Sequence, residues 1–218
     1  MLSSNELYYE QEICNILKET KIHQRLEELK ERTKATGYEH AFNVCSDGRV
    51  TEVIEGNEVQ VNNAKIIEEC NDKIDINIHS HPYSPHYPSP GDFMVDLYNK
   101  IRIASCVYSA KDDKVACYRT SDEFRNKYIP SLEESFNKIK EIHNKYDNTT
   151  DPEEKLRLSE AYRTERNRVN YLINRIEHII IKDLYPDITH KRDYPFKVRE
   201  TLKFGNFGNV WIKDCGKI

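Results

Sequence analysis

No apolar run in the 218 residues approaches the roughly 20 needed to cross a bilayer, so no membrane-spanning helix is expected. An excess of positive charge is also missing. Lys and Arg total 33 against 37 Asp and Glu, a formal charge of −4, which gives no general drive toward nucleic acid or an acidic membrane surface. The first residues, MLSSNELYYEQEICNILKE, carry acids and lack a basic head followed by an apolar stretch, which argues against a secretory signal. A CxxC pair is missing too: the six cysteines (Cys14, Cys45, Cys70, Cys106, Cys117, Cys215) are widely spaced, which disfavours a cysteine-built zinc site. Without an export signal these six are expected to be reduced, mostly buried thiols, and the location cytoplasmic. Cys70 and Cys106 have no neighbouring His, so a thiol protease is not supported. Internal repeats and low-complexity linkers are absent too.

What remains is a polar chain able to fold. Hydrophobic residues make up 38% and charged residues 32%, with 14 Tyr and 7 Phe supplying bulk for a core. The length suits one sizeable core, or one core and an appendage.

Ile13, Ile16, Leu17, Leu26 and Leu29 mark an apolar side that predicts a helix over 5–35, ended by Gly37. Strand-like pieces follow at 39–46 and 49–55 around the hairpin signal Asp47-Gly48, then at 58–61 after Gly56-Asn57. Residues 63–71 are ambiguous and could form a short helix. KIDINIHS (73–80) alternates Ile74, Ile76 and Ile78, the pattern of a strand with one buried face. A Pro-rich loop leads to a helix from Ser89 to about Lys100, and two strands follow at 101–110 and 114–120.

Near residue 121 the pattern becomes almost entirely helical. Thr120 with Glu123 can cap one long helix, and Asp151-Pro152 starts a second, whose stripe Val169, Leu172, Ile173, Ile176, Ile179 and Ile180 reads as core. The expected organisation is an α/β (α+β) core over 1–120, a long helical hairpin over 121–185, and a tail over 186–218 with a short strand at 209–214 packing on the core.

The chemistry lies in His79-Ser80-His81-Pro82 through Ser89-Pro90-Gly91-Asp92. Histidines at i and i+2 on a strand point to the same side, so both imidazoles can meet one metal. The Pro-rich loop returns the chain, and Asp92 comes from the first turn of the next helix. Two neutral imidazoles and one carboxylate suit Zn²⁺ and leave a fourth position open, the mark of a catalytic rather than a structural site. A plainer reading competes with this one: Ser89 as N-cap, Pro90 at N1 and Asp92 at N3 make a good helix start without any metal. The cap does not explain His79 and His81, and both roles can coexist. His86, inside the loop, reads as an exposed histidine.

This segment resembles the signature of the JAMM (MPN+) metalloproteases: a Glu upstream, then HxHP, a short loop and SxxD. The resemblance covers residues 1–120. It implies a JAMM-like (cytidine-deaminase-like) fold with a central mixed sheet flanked by helices. It implies His79, His81 and Asp92 as ligands of one Zn²⁺, Ser89 as a donor to the tetrahedral intermediate, and an early-strand Glu as general acid/base. Glu39 matches best, following the first helix and opening the first strand, although the family's Cys-Gly after the Glu is replaced here by His-Ala-Phe-Asn. Glu52, Glu55 and Glu58 are rivals. The activity implied is hydrolysis of an isopeptide or peptide bond, removing or processing ubiquitin or a ubiquitin-like modifier, with a modified protein as substrate. The alternative is a RadC-like protein of the same signature, or a partner-binding module whose long helices make contacts with a partner or a second copy.

Overall fold

Where apolar residues recur decides the first elements. The computed structural model describes residues 4–184, 205–207 and 209–218. In place of one helix over 5–35 there are two, α1 (Ser4–Ile16) and α2 (Thr20–Thr36). The buried residues Ile13, Leu17, Ile22, Leu26 and Leu29 explain the break. At about 100° per residue, the five-residue step from Leu17 to Ile22 would put Ile22 on the side opposite Ile13 in a continuous helix. A turn at Leu17–Glu19, closed by Lys18 N–H to the Asn15 carbonyl and Glu19 N–H to the Ile16 carbonyl (both 3.0 Å), resets the phase.

Strand β1 (His40–Cys45) follows, then the short β2 (Ile54–Glu55), α3 (Ala64–Glu69), β3 (Ile74–His81), α4 (Pro90–Tyr98), β4 (Ala104–Ser109) and β5 (Lys114–Thr120). The strands expected over 49–55 and 58–61 shrink to β2 and one isolated bridge, Val44 to Val50. Local side-chain bonds compete for the backbone there: Asn57 Oδ1 accepts from the N–H groups of Val59 and Gln60. The long helices are α5 (Asp122–Asn148) and α6 (Pro152–Leu184), which pack against each other, and the chain ends in β6 (Gly205–Asn206) and β7 (Val210–Gly216). The cap of α5 is Ser121, whose Oγ accepts from Phe124 N–H, not Thr120. The Thr120 side chain is buried and serves Asp96 instead. Most of the tail expected over 186–218, with His190, lies outside the described residues.

The sheet has seven strands among the described residues, in the order β2-β1-β3-β4-β5-β7-β6, with β3 and β4 parallel and the other pairs antiparallel. The fold is thus α+β, a mixed sheet flanked by helices. β7 is an inner strand, not a peripheral addition, and its Trp211 is fully buried.

Helices cover both faces. One core cluster joins α1 and α2 to Phe42, Ile76, Ile78, Cys106, Tyr108, Cys117 and Trp211. The other joins α4 and the bases of α5 and α6 to Val107, Ala116, Tyr118, Val210 and Ile212. This is why β3 is buried on both sides rather than on one face as its alternation suggests.

The cysteines differ from expectation. None is a free thiol: Cys14–Cys215, Cys45–Cys70 and Cys106–Cys117 are disulfides. Tertiary structure makes these pairs. Cys106 and Cys117 are register partners on β4 and β5, whereas Cys14 and Cys215 are 201 residues apart. Such bonds persist in oxidising surroundings, so the cysteines lend no support to a cytoplasmic location. Thiol titration of the denatured, unreduced protein is expected to find none of the six free.

Candidate metal centre

The end of β3 carries the site. Alternation places Ile76, Ile78 and Ser80 toward α2, and Asn77, His79 and His81 toward α4. His79 and His81 are both buried, and their Nε2 atoms lie 3.2 Å apart. The third group comes from α4. Ser89 caps the helix, accepting at Oγ from Asp92 N–H (3.2 Å), while its own N–H donates to Asp92 Oδ2 (2.6 Å). This capping box turns the Asp92 carboxylate back toward β3. Asp92 Oδ1 lies 3.2 Å from His79 Nε2, and Oδ2 lies 3.6 Å from His81 Nε2. The three donors all fall within 4.8 Å of one another, close enough to share one metal ion. The cap and the metal readings therefore describe one arrangement, in which the cap aims the carboxylate.

The three groups are coupled electrostatically. Burial alone would raise the Asp92 carboxyl, but His79 and His81 beside it hold it well below the usual carboxylate range. Burial pushes the His79 imidazole down, and the Asp92 and Glu39 carboxylates outweigh that and raise it. For His81 burial prevails and the ring is lowered, favouring the neutral form that ligates metals. The His81 Nδ1 faces the Pro85 carbonyl at 3.5 Å, which leaves Nε2 toward the other donors.

Glu39 immediately precedes β1. The β1–β3 register pairs Ala41 with His79, so continuing it sets Glu39 beside His81. Both of its backbone groups bond to the segment after β2, N–H to the Asn57 carbonyl (2.7 Å) and carbonyl to Gly56 N–H (2.8 Å). Burial pushes its carboxyl up to about 7, with His79 lowering and Asp92 raising it, so Glu39 lies in the field of the ligand set. The rivals sit elsewhere. Glu52 is exposed and paired with Arg25, Glu55 is exposed with Oε2 3.4 Å from His40 Nε2, and Glu58 is exposed on the coil after β2.

The supporting residues were not evident from the sequence. Ser80, between the two histidines, accepts from His40 N–H (2.8 Å) and lies 2.7 Å from the Thr33 hydroxyl, tying β3 to β1 and α2 behind the site. Gly37 ends α2 at φ 70°, and a Cβ there would come within 2.4 Å of the Tyr83 hydroxyl, so the loop after His81 rests on the turn before Glu39. His86 is buried rather than exposed, facing Asp112 and Asp214. Its short spacing from His81 was the only signal, and a loop position concealed the burial.

Comparisons with protein-family models and with curated proteins found no match to this chain.

Proposed function

We propose that the chain is a zinc-dependent metallohydrolase of the JAMM type that cleaves an isopeptide or peptide bond, removing or processing ubiquitin or a ubiquitin-like modifier. The observation that carries this reading is the convergence of His79, His81 and Asp92, with the raised carboxyl of Glu39 in the same field. Two imidazole nitrogens and one carboxylate oxygen form a donor set that zinc favours, and three protein ligands leave a position open to substrate. Zinc, when bound, supplies Lewis acidity at neutral pH.

The chain's own residues supply the rest. A carboxyl near neutrality suits proton transfer in both directions, so Glu39 takes a proton from the attacking water and returns it to the leaving amine. Ser89 Oγ already accepts from Asp92 N–H, and its own proton is available to donate to the oxygen that gains charge at the carbonyl under attack. Ser89 thereby combines helix capping with oxyanion stabilisation.

A second reading is a partner-binding role for the long helices, favoured by the exposed Leu156 and Tyr171 on α6. One experiment separates the two. The zinc-loaded protein is incubated with ubiquitin and ubiquitin-like conjugates and with C-terminally extended precursors, with Glu39→Ala as control. Cleavage by the wild type and loss of it in the variant are expected. Intact substrates throughout would overturn the peptidase reading.

A further inference from the structure

The segment between the ligands His81 and Asp92 is a loop of residues 82–89, and loops seldom hold a ligand as firmly as a strand or helix does. This one is tied down at its start and at two points within it. Ala110 N–H donates to the His81 carbonyl (3.0 Å), Ser109 Oγ donates to the Ser84 carbonyl (2.6 Å), and His86 docks against two carboxylates.

His86 is only 3% exposed, which is unusual for a loop histidine. Its Nδ1 lies 2.9 Å from Asp112 Oδ2, and its Nε2 lies 3.5 Å from Asp214 Oδ1. Asp112 belongs to the turn between β4 and β5, and its N–H donates to Ser109 Oγ (3.2 Å). Asp214 lies on β7, where Oδ1 also accepts from Gly216 N–H (2.8 Å). The imidazole is therefore hydrogen-bonded to the β4–β5 turn through Nδ1 and faces a carboxylate of β7 through Nε2.

The residue before His86 is Pro85, whose carbonyl faces His81 Nδ1 at 3.5 Å. A histidine that ligates a metal through one ring nitrogen is oriented by what the other nitrogen bonds to. The chain of contacts runs from Asp112 and Asp214 through His86 to the Pro85 carbonyl, and from there to His81.

We infer that His86, clamped by Asp112 and Asp214, is a positioning residue for the metal centre: it fixes the Pro85 carbonyl that orients His81, so that His81 Nε2 faces His79 and Asp92. This rests on the metal reading of His79, His81 and Asp92 and is independent of which substrate is cleaved.

The test measures metal binding rather than catalysis. Zn²⁺ affinity is read by competition with a chromogenic chelator, and ligand geometry by the visible absorption band of the Co²⁺-substituted protein. Changes to groups that orient a ligand cost about 10- to 100-fold in metal affinity, so His86→Ala is expected to weaken Zn²⁺ binding by about 10-fold or more and to alter the Co²⁺ band. His86→Gln, which can still donate to Asp112, is expected to recover part of the loss. Affinity within about two-fold of wild type and an unchanged Co²⁺ band in a folded His86→Ala protein would overturn the inference. If His86→Ala does not fold, the double variant Asp112→Ala with Asp214→Ala, which removes both acceptors at partly exposed positions, is judged by the same two criteria. A wild-type protein that binds no Zn²⁺ would sink the metal reading and this inference with it. Intact conjugates beside normal Zn²⁺ binding would overturn only the proposed substrate.

Discussion

Asp92 and Asp96 stand one turn apart on α4, and their surroundings differ completely. Asp96 is fully buried and saturated: it accepts from Ser105 Oγ (3.0 Å), Thr120 N–H (3.1 Å), Thr120 Oγ1 (2.9 Å) and Arg125 Nη2 (2.6 Å). The Arg125 guanidinium is equally committed, donating from Nε to Thr120 and from Nη1 to the Ile101 carbonyl. Asp92 instead faces two imidazoles, groups that can shed a proton and present a lone pair. On this helix the carboxylate whose partners can change state is the one suited to a metal, and the one whose partners cannot is suited to a structural role.

The sharpest way to break this comparison is to delete each carboxylate in turn. Asp96→Ala leaves Arg125 charged and unpaired in the interior, at a cost of roughly 3–5 kcal/mol in denaturant unfolding. Its folded fraction should still bind zinc. If Asp96→Ala unfolds at the wild-type midpoint, the saturated site is not structural. Asp92→Ala is expected to do the opposite: zinc is lost in elemental analysis, while metal-free stability drops by only about 1 kcal/mol through the missing cap interactions. His79 can release its proton when its partner goes, as Arg125 cannot.

Gly37→Ala probes how the loop near Asp92 is supported. The positive φ alone costs about 1–2 kcal/mol, and the contact with the Tyr83 hydroxyl adds to it. Weaker zinc binding together with a lower unfolding midpoint would show that the turn before Glu39 and the metal loop act together. A loss of stability alone would separate them.

The smallest effect is in the pH dependence of the metal-free protein. Glu39 has a folded-state pKa of about 7, above its ordinary 4.5, so between these values the folded protein binds more protons than the unfolded chain. Its contribution to stability is present at low pH and is lost as pH rises from 4.5 through about 7. The raised His79 acts in the same direction above its ordinary 6.5, the lowered His81 acts oppositely below 6.5, and the lowered Asp92 also acts oppositely, losing its contribution as pH falls below 3.8. Between pH 4.5 and about 7, unfolding midpoints should fall more steeply, or rise less, in the wild type than in Glu39→Gln. The same slope in both proteins would remove Glu39 from the field of the ligand set.

Much of this was legible in the sequence. The strand–loop–helix spacing of His79, His81, Ser89 and Asp92 is local, within 14 residues, and local geometry follows from strand alternation and a cap. The strands β3 and β5 and the long helices were legible for the same reason. The break between α1 and α2 lay in the spacing from Leu17 to Ile22, but only packing against the sheet gives that phase change its effect. The disulfides were not legible, because pairing Cys14 with Cys215 requires α1 to lie against β7. Asp96 and Arg125 are 29 residues apart on two different helices, and only the fold brings them together and buries both.

By itself, the sequence determined which donors could converge: two imidazoles two residues apart on a strand and a carboxylate at N3 of the following helix. Backbone periodicity alone sets those directions. Only the tertiary structure decided their chemical state. Burial and neighbouring charge raised the carboxyl of Glu39, lowered that of Asp92, and left Asp96 as a fully bonded anchor, because the environment of a carboxylate depends on what packs around it and not on its neighbours in the chain.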